Sequence, residues 1–114
     1  MAGINIWALK KDQSIRHLLL LLVAQLGEGS FVVDDTTPCD ERAIFLHHRQ
    51  DRGIRAYIYT LGQADDRYGV HLEYPPTADA GNQLEVMENQ RFEALVESLA
   101  VHFDIPFVEP LPGR

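Results

Sequence analysis

Residues 18–22 are five consecutive leucines, set in a stretch whose other apolar residues recur at helical spacing. At about 100° per residue, Ile15, Leu18, Leu19, Leu22, Val23 and Leu26 fill one broad arc. Leu20, Leu21 and Ala24 then fall on the far side, among Arg16, His17 and Gln25. A helix packed through one face has no use for that second strip, so something is expected to cover it. One cover is a partner protein or a second copy of the chain, which makes Leu20, Leu21 and Ala24 candidate partner-binding residues. The other is intramolecular, with Ile4, Ile6 and Trp7, or Phe107, Val108 and Leu111, folded across the helix.

The helix itself is expected over residues 13–26. Asp12 or Ser14 can accept hydrogen bonds from its first unpaired amides, and Gly27 can end it in a left-handed conformation. The apolar residues 4–9 before it fit either a strand or a first helical turn. Lys10, Lys11 and Arg16 ahead of the leucines resemble a signal peptide, but Asp12 breaks the positive segment, Gln25 ends the apolar run and no small-residue cleavage pattern follows. Crossing a membrane takes roughly 20 apolar residues, more than this run supplies.

After Gly27 the period changes from 3.6 to 2. Residues 31–33, 43–49, 54–61 and 68–74 are rich in β-branched and aromatic residues, and each run ends in Asp, Gly or Pro turn chemistry. Residues 84–87 read as a fifth short strand, although Asn82-Gln83-Leu84-Glu85 also fits a capping box. Asn89 is expected to cap a second helix over 90–103, with Phe92, Leu95, Val96, Leu99 and Phe103 as its apolar stripe. Pro106 stops that helix, and residues 105–114, with Pro110 and Pro112, read as an extended tail.

One domain of 114 residues is therefore expected, with 46% hydrophobic content to fill its core. Hairpin-length links without helical crossovers specify an α+β fold. Its antiparallel sheet has four or five strands, with the N- and C-terminal helices packed on one face. A trial register puts Ile44, Leu46, Tyr57, Tyr59, Leu61, Val70 and Leu72 on the core face. It puts Ala43, Phe45, His47, Ala56, Ile58, His71 and Glu73 on the other, and a slip of one residue would exchange the faces in part.

The formal charge is −7, from 10 Lys and Arg against 17 Asp and Glu. That repels phosphate backbones and anionic lipid, so neither nucleic acid nor membrane is expected as a partner, whereas a basic protein would be drawn in. Cys39, the single cysteine, makes no internal disulfide and fits a cytoplasmic setting. Asp34, Asp35, Asp40 and Glu41 around it disfavour the thiolate that a nucleophile needs. His47 and His48 are adjacent on a strand and point to opposite faces, and no histidine pair has ligand spacing, so no metal or other cofactor is expected. No phosphate loop or catalytic constellation is present, and no catalytic residue is named.

The patch Phe45, His47, His71 and Glu73 is the remaining candidate, as a ligand or partner face. It also suggests an acid/base pair, since a carboxylate beside an imidazole fixes its tautomer. Arg55, Tyr57 and Tyr59 alternate like a base-stacking platform, but with this charge the two tyrosines read more simply as core. The sequence thus points to a non-enzymatic intracellular protein-interaction module, of an adaptor, chaperone-like or immunity-like kind. A small-molecule binder or modest enzyme working at His71 and Glu73 is the alternative.

Overall fold

The computed structural model describes residues 5–76, 83–106 and 108. A short 3₁₀ turn, η1 (Ile6–Ala8), leads into α1 (Gln13–Leu26). Five strands follow, β1 (Phe31–Asp34), β2 (Ala43–His48), β3 (Arg55–Tyr59), β4 (Tyr68–Tyr74) and β5 (Gln83–Gln90), and then α2 (Phe92–His102). The strands form one antiparallel sheet in the order β1-β2-β3-β4-β5. This is the expected α+β architecture, with the fifth strand present.

Local chemistry explains the element ends. The Asp12 carboxylate caps α1, accepting from the Ser14 amide at 3.0 Å and the Ser14 hydroxyl at 2.6 Å. Gly27, at φ 94°, closes it with its N–H on the Val23 carbonyl. Asn89 does not cap α2. It takes φ 55° where β5 is irregular opposite β4, Gln90 still pairs with Tyr68, and α2 starts after Arg91 with no side-chain cap. At the other end of α2, Arg49 donates to the carbonyls of Phe103 (2.8 Å) and Asp104 (3.3 Å), placing a cation at the negative end of the helix.

One hydrophobic core lies between the helices and one face of the sheet. Ile15, Leu18, Leu19, Leu22, Leu95 and Leu99 from the helices meet Ile44, Leu46, Ala56, Ile58, Val70 and Leu72 from the strands. The trial register is therefore corrected in β3. Ala56 and Ile58 point into the core, while Tyr57 and Tyr59 stand on the opposite face. His48 N–H bonds the Ile54 carbonyl, so residues 49–53 form an odd-numbered link and parity shifts by one. Leu61, also expected in the core, lies in the turn after β3 and is exposed.

The candidate strip on α1 is partly absorbed by the molecule. Leu20 and Leu21 are half-buried and pack on the core, and Ala24 is exposed. Ile6 of η1 is buried in the same core, whereas its neighbour Trp7 is exposed. Ile105, the first residue of the expected tail, is buried too. Ile4, Phe107, Leu111 and residues 77–82 lie outside the described residues. Among the described residues, no helix is long and apolar enough to cross a membrane.

Candidate functional site

Burial alternates from Ile44 to His48 in β2 and along β3, which makes one sheet face core; the helices pack on that face, and on the other only Ala43 of these two strands is buried. Phe45, His47, His71 and Glu73 all stand on that second face. Their neighbours in β3 are Tyr57 and Arg55, not Ile58 and Ala56 as the trial register had it. One row crosses the sheet as Asp34, Phe45, Tyr57, His71 and Val86, and the next as Val32, His47, Arg55, Glu73 and Leu84.

The first row is aromatic and continuous. Ring centroids are 4.8 Å apart for Phe45 and Tyr57 and 5.6 Å for Tyr57 and His71. Tyr59 joins the group, 5.6 Å from Tyr57 and 5.3 Å from His71. Aromatic contacts of this kind contribute about 0.5–1.5 kcal/mol each beyond area burial, which favours a continuous packed row over separate side chains. Val32, Leu84 and Val86 extend it with exposed apolar area on both sides.

Tyr59 owes its position to Gly69, directly opposite on β4. A Cβ on Gly69 would lie 2.1 Å from the ring, so the phenol rests on bare backbone and reaches across β4 toward β5. There its hydroxyl donates to Glu88 Oε2 at 2.8 Å, and Gln63 Nε2 donates to the same oxygen at 3.0 Å. Burial, followed by the hydrogen bond and charge of Glu88, pushes the Tyr59 phenol up to about 12. Tyr57 is also raised, first by burial and then by the negative potential of Cys39 and Asp40 nearby.

The second row is organised by charge. Arg55 donates through Nε (3.0 Å) and Nη2 (2.7 Å) to Glu73 Oε1, and its guanidinium lies 4.6 Å from the Phe45 centroid. The Glu73 carboxylate therefore faces Arg55, and His71 lies against tyrosine rings. The residues share a face, but the geometry is not that of a carboxylate orienting an imidazole. A groove of about 410 Å³ runs past them, lined by Gly53, Arg55, His71, Glu73, Tyr74, Pro75, Pro76 and Leu84.

Elsewhere, Lys11 Nζ lies 3.2 Å from Cys39 Sγ, a cation that the acidic sequence around the thiol does not reveal. His48 and His102 are buried under the sheet by α2. The His102 Nε2 donates to the Arg55 carbonyl at 2.7 Å while its buried Nδ1 has no hydrogen-bond partner among the described residues, and burial lowers its pKa. Among the described residues, no group of three or more His, Cys, Asp or Glu is placed to hold a metal ion. Glu88 is the member of the face that sequence reasoning missed, and Arg55, Tyr57 and Tyr59, whose alternation it noted, are members it set aside by reading the tyrosines as core. Gly69 inside a strand was the available signal, since a strand glycine marks a close approach.

The chain matches no family model, no curated protein and no solved structure.

Proposed function

We propose that this chain is a non-enzymatic protein-binding module, an adaptor-like or chaperone-like partner protein, and that the helix-free face of its sheet is the recognition surface. The supporting observation is the aromatic row Phe45, Tyr57, Tyr59 and His71, bordered by exposed Val32, Leu84 and Val86. An antiparallel sheet with a wet face normally alternates apolar in and polar out. Here both faces carry apolar area, and aromatic surface of this sort is what protein interfaces are enriched in. The proposed setting is cytoplasmic, in keeping with a lone cysteine. Homodimerisation through Leu20, Leu21 and Ala24 is the competing use of the molecule's apolar surface.

Val86→Glu tests the reading. Val86 is 53% exposed and directly opposite His71, so a charge there alters the face without unburying core. Loss of partner capture at unchanged melting temperature is expected, with Ala24→Glu retaining capture. Capture unaffected by Val86→Glu would remove the sheet face from consideration.

The groove beside His71 and Glu73 favours a second reading, a small-molecule site, because its volume of about 410 Å³ falls in the range of ligand pockets. A ligand retained through purification and displaced by His71→Ala would support it.

A further inference from the structure

We propose that the Tyr59–Glu88 corner of this face takes an arginine side chain from an extended segment of the partner protein. The inference rests on the sheet face being the recognition surface, and it adds the chemistry of what is recognised.

The face already contains one worked example of this chemistry. Arg55 lies over the Phe45 ring at 4.6 Å, and its Nη2 is held by Glu73 at 2.7 Å, a ring and a carboxylate together engaging one guanidinium. Tyr59 and Glu88 repeat that combination. The Tyr59 ring rests on Gly69 with one side, so its other side is directed away from the sheet backbone. The Glu88 carboxylate sits at the ring's hydroxyl end, with Oε2 engaged by Tyr59 and Gln63, and Glu88 is exposed. A carboxylate accepts at both oxygens, and among the described residues no hydrogen bond reaches Oε1, which offers it to a planar donor stacked on the ring.

Charge selects the occupant. The chain carries −7 overall, the Tyr59 ring has the exposed Glu88 carboxylate at its hydroxyl end, and the cation nearest on this face, Arg55, is already paired with Glu73. A second copy of the chain would bring the same acidic groups into opposition. A cationic segment is attracted over distance and then desolvates against rings, where cation–π contact is strongest. Arginine is favoured over lysine because its planar group stacks and pairs with a carboxylate at once.

The test is a titration of the full chain with capped heptapeptides that alternate leucine with arginine, lysine, citrulline or glutamate, followed by amide and ring NMR shifts. Citrulline keeps the shape of arginine without its charge. The arginine peptide is expected to bind at least about tenfold more tightly than the citrulline peptide, a difference of about 1.4 kcal/mol. Its shifts are expected to centre on Tyr59, Gly69 and Glu88. Glu88→Gln, which keeps an oxygen acceptor for the Tyr59 hydroxyl and removes the charge, is expected to bring the two peptides within about threefold by weakening the arginine peptide.

Equal binding of both peptides on the aromatic row overturns the arginine site and leaves the sheet-face reading standing. Shifts confined to other surfaces, or no binding by any peptide, overturn both. A dimer in sedimentation that buries Tyr59 and is indifferent to Glu88→Gln also overturns the arginine site.

Discussion

Arg55 and Phe45 meet diagonally across neighbouring strands, the guanidinium 4.6 Å from the ring centroid and also bonded to Glu73. Both ionic partners are about one-third exposed, so water screens the pair and its contribution to folding is small, about 0–1 kcal/mol. Glu73→Ala is therefore expected to move the denaturant midpoint only slightly while changing how the face binds. A loss of several kcal/mol in equilibrium unfolding would show the pair to be structural instead.

Gly69 and Tyr59 form the second relationship with a measurable consequence. Gly69→Ala drives a methyl group into the Tyr59 ring and is expected to cost about 1–3 kcal/mol, as overpacking does. In a Tyr59→Ala background the same change is expected to be neutral or stabilising by up to about 1 kcal/mol, because alanine restricts the unfolded chain more than glycine. A double-mutant cycle in urea reads the difference directly. Equal costs in both backgrounds would mean that the ring does not rest on Gly69.

Stability is expected to fall on acidification in two stages. His102 has its pKa lowered chiefly by burial, so the unfolded chain binds a proton that the folded chain resists. That contribution is intact above the unfolded value of 6.5 and declines as pH drops below it. Asp34, held far below its ordinary range chiefly by the Thr37 hydroxyl, and Asp12, lowered chiefly by Ser14, lose theirs below 3.8. His102→Gln keeps a donor for the Arg55 carbonyl and is expected to flatten the first stage only, as read by melting temperature against pH. An unchanged first stage would assign it to another group.

The strip on α1 separates packing from association. Leu20 packs partly on the core, so Leu20→Glu is expected to destabilise the fold by about 1–3 kcal/mol, whereas exposed Ala24→Glu is expected to stay within about 0.5 kcal/mol. Neither substitution is expected to change the sedimentation coefficient of the folded chain. A dimer that dissociates on Ala24→Glu would establish this strip as an interface.

The helices and most strand positions were legible because their patterns admit one reading. Leu18, Leu19 and Leu22 recur at helical spacing, and Ile44 and Leu46 alternate with residues of a wetter face. β3 was not legible, since Arg55-Ala56-Tyr57-Ile58-Tyr59 is apolar at both parities. Residue size favoured tyrosines in the core. Yet Ala56 lies between Leu46 and Leu72, whose bulk already fills the space, and Tyr59 needs Glu88 for its hydroxyl. The candidate face inherited that error: Phe45, His47, His71 and Glu73 share one face of the sheet, but the side chains that organise them came from the misplaced strand. Asn89 misled for a related reason, because a residue that suits a helix cap also suits the left-handed turn of a strand irregularity.

The most direct measurement places a photo-crosslinking benzoylphenylalanine at position 45 or, separately, at position 24, and irradiates each protein in extract of its native cell. Position 45 on the aromatic row is expected to give a discrete protein adduct that Val86→Glu abolishes, and position 24 to give none. An adduct from position 24 with none from position 45 would contradict the account.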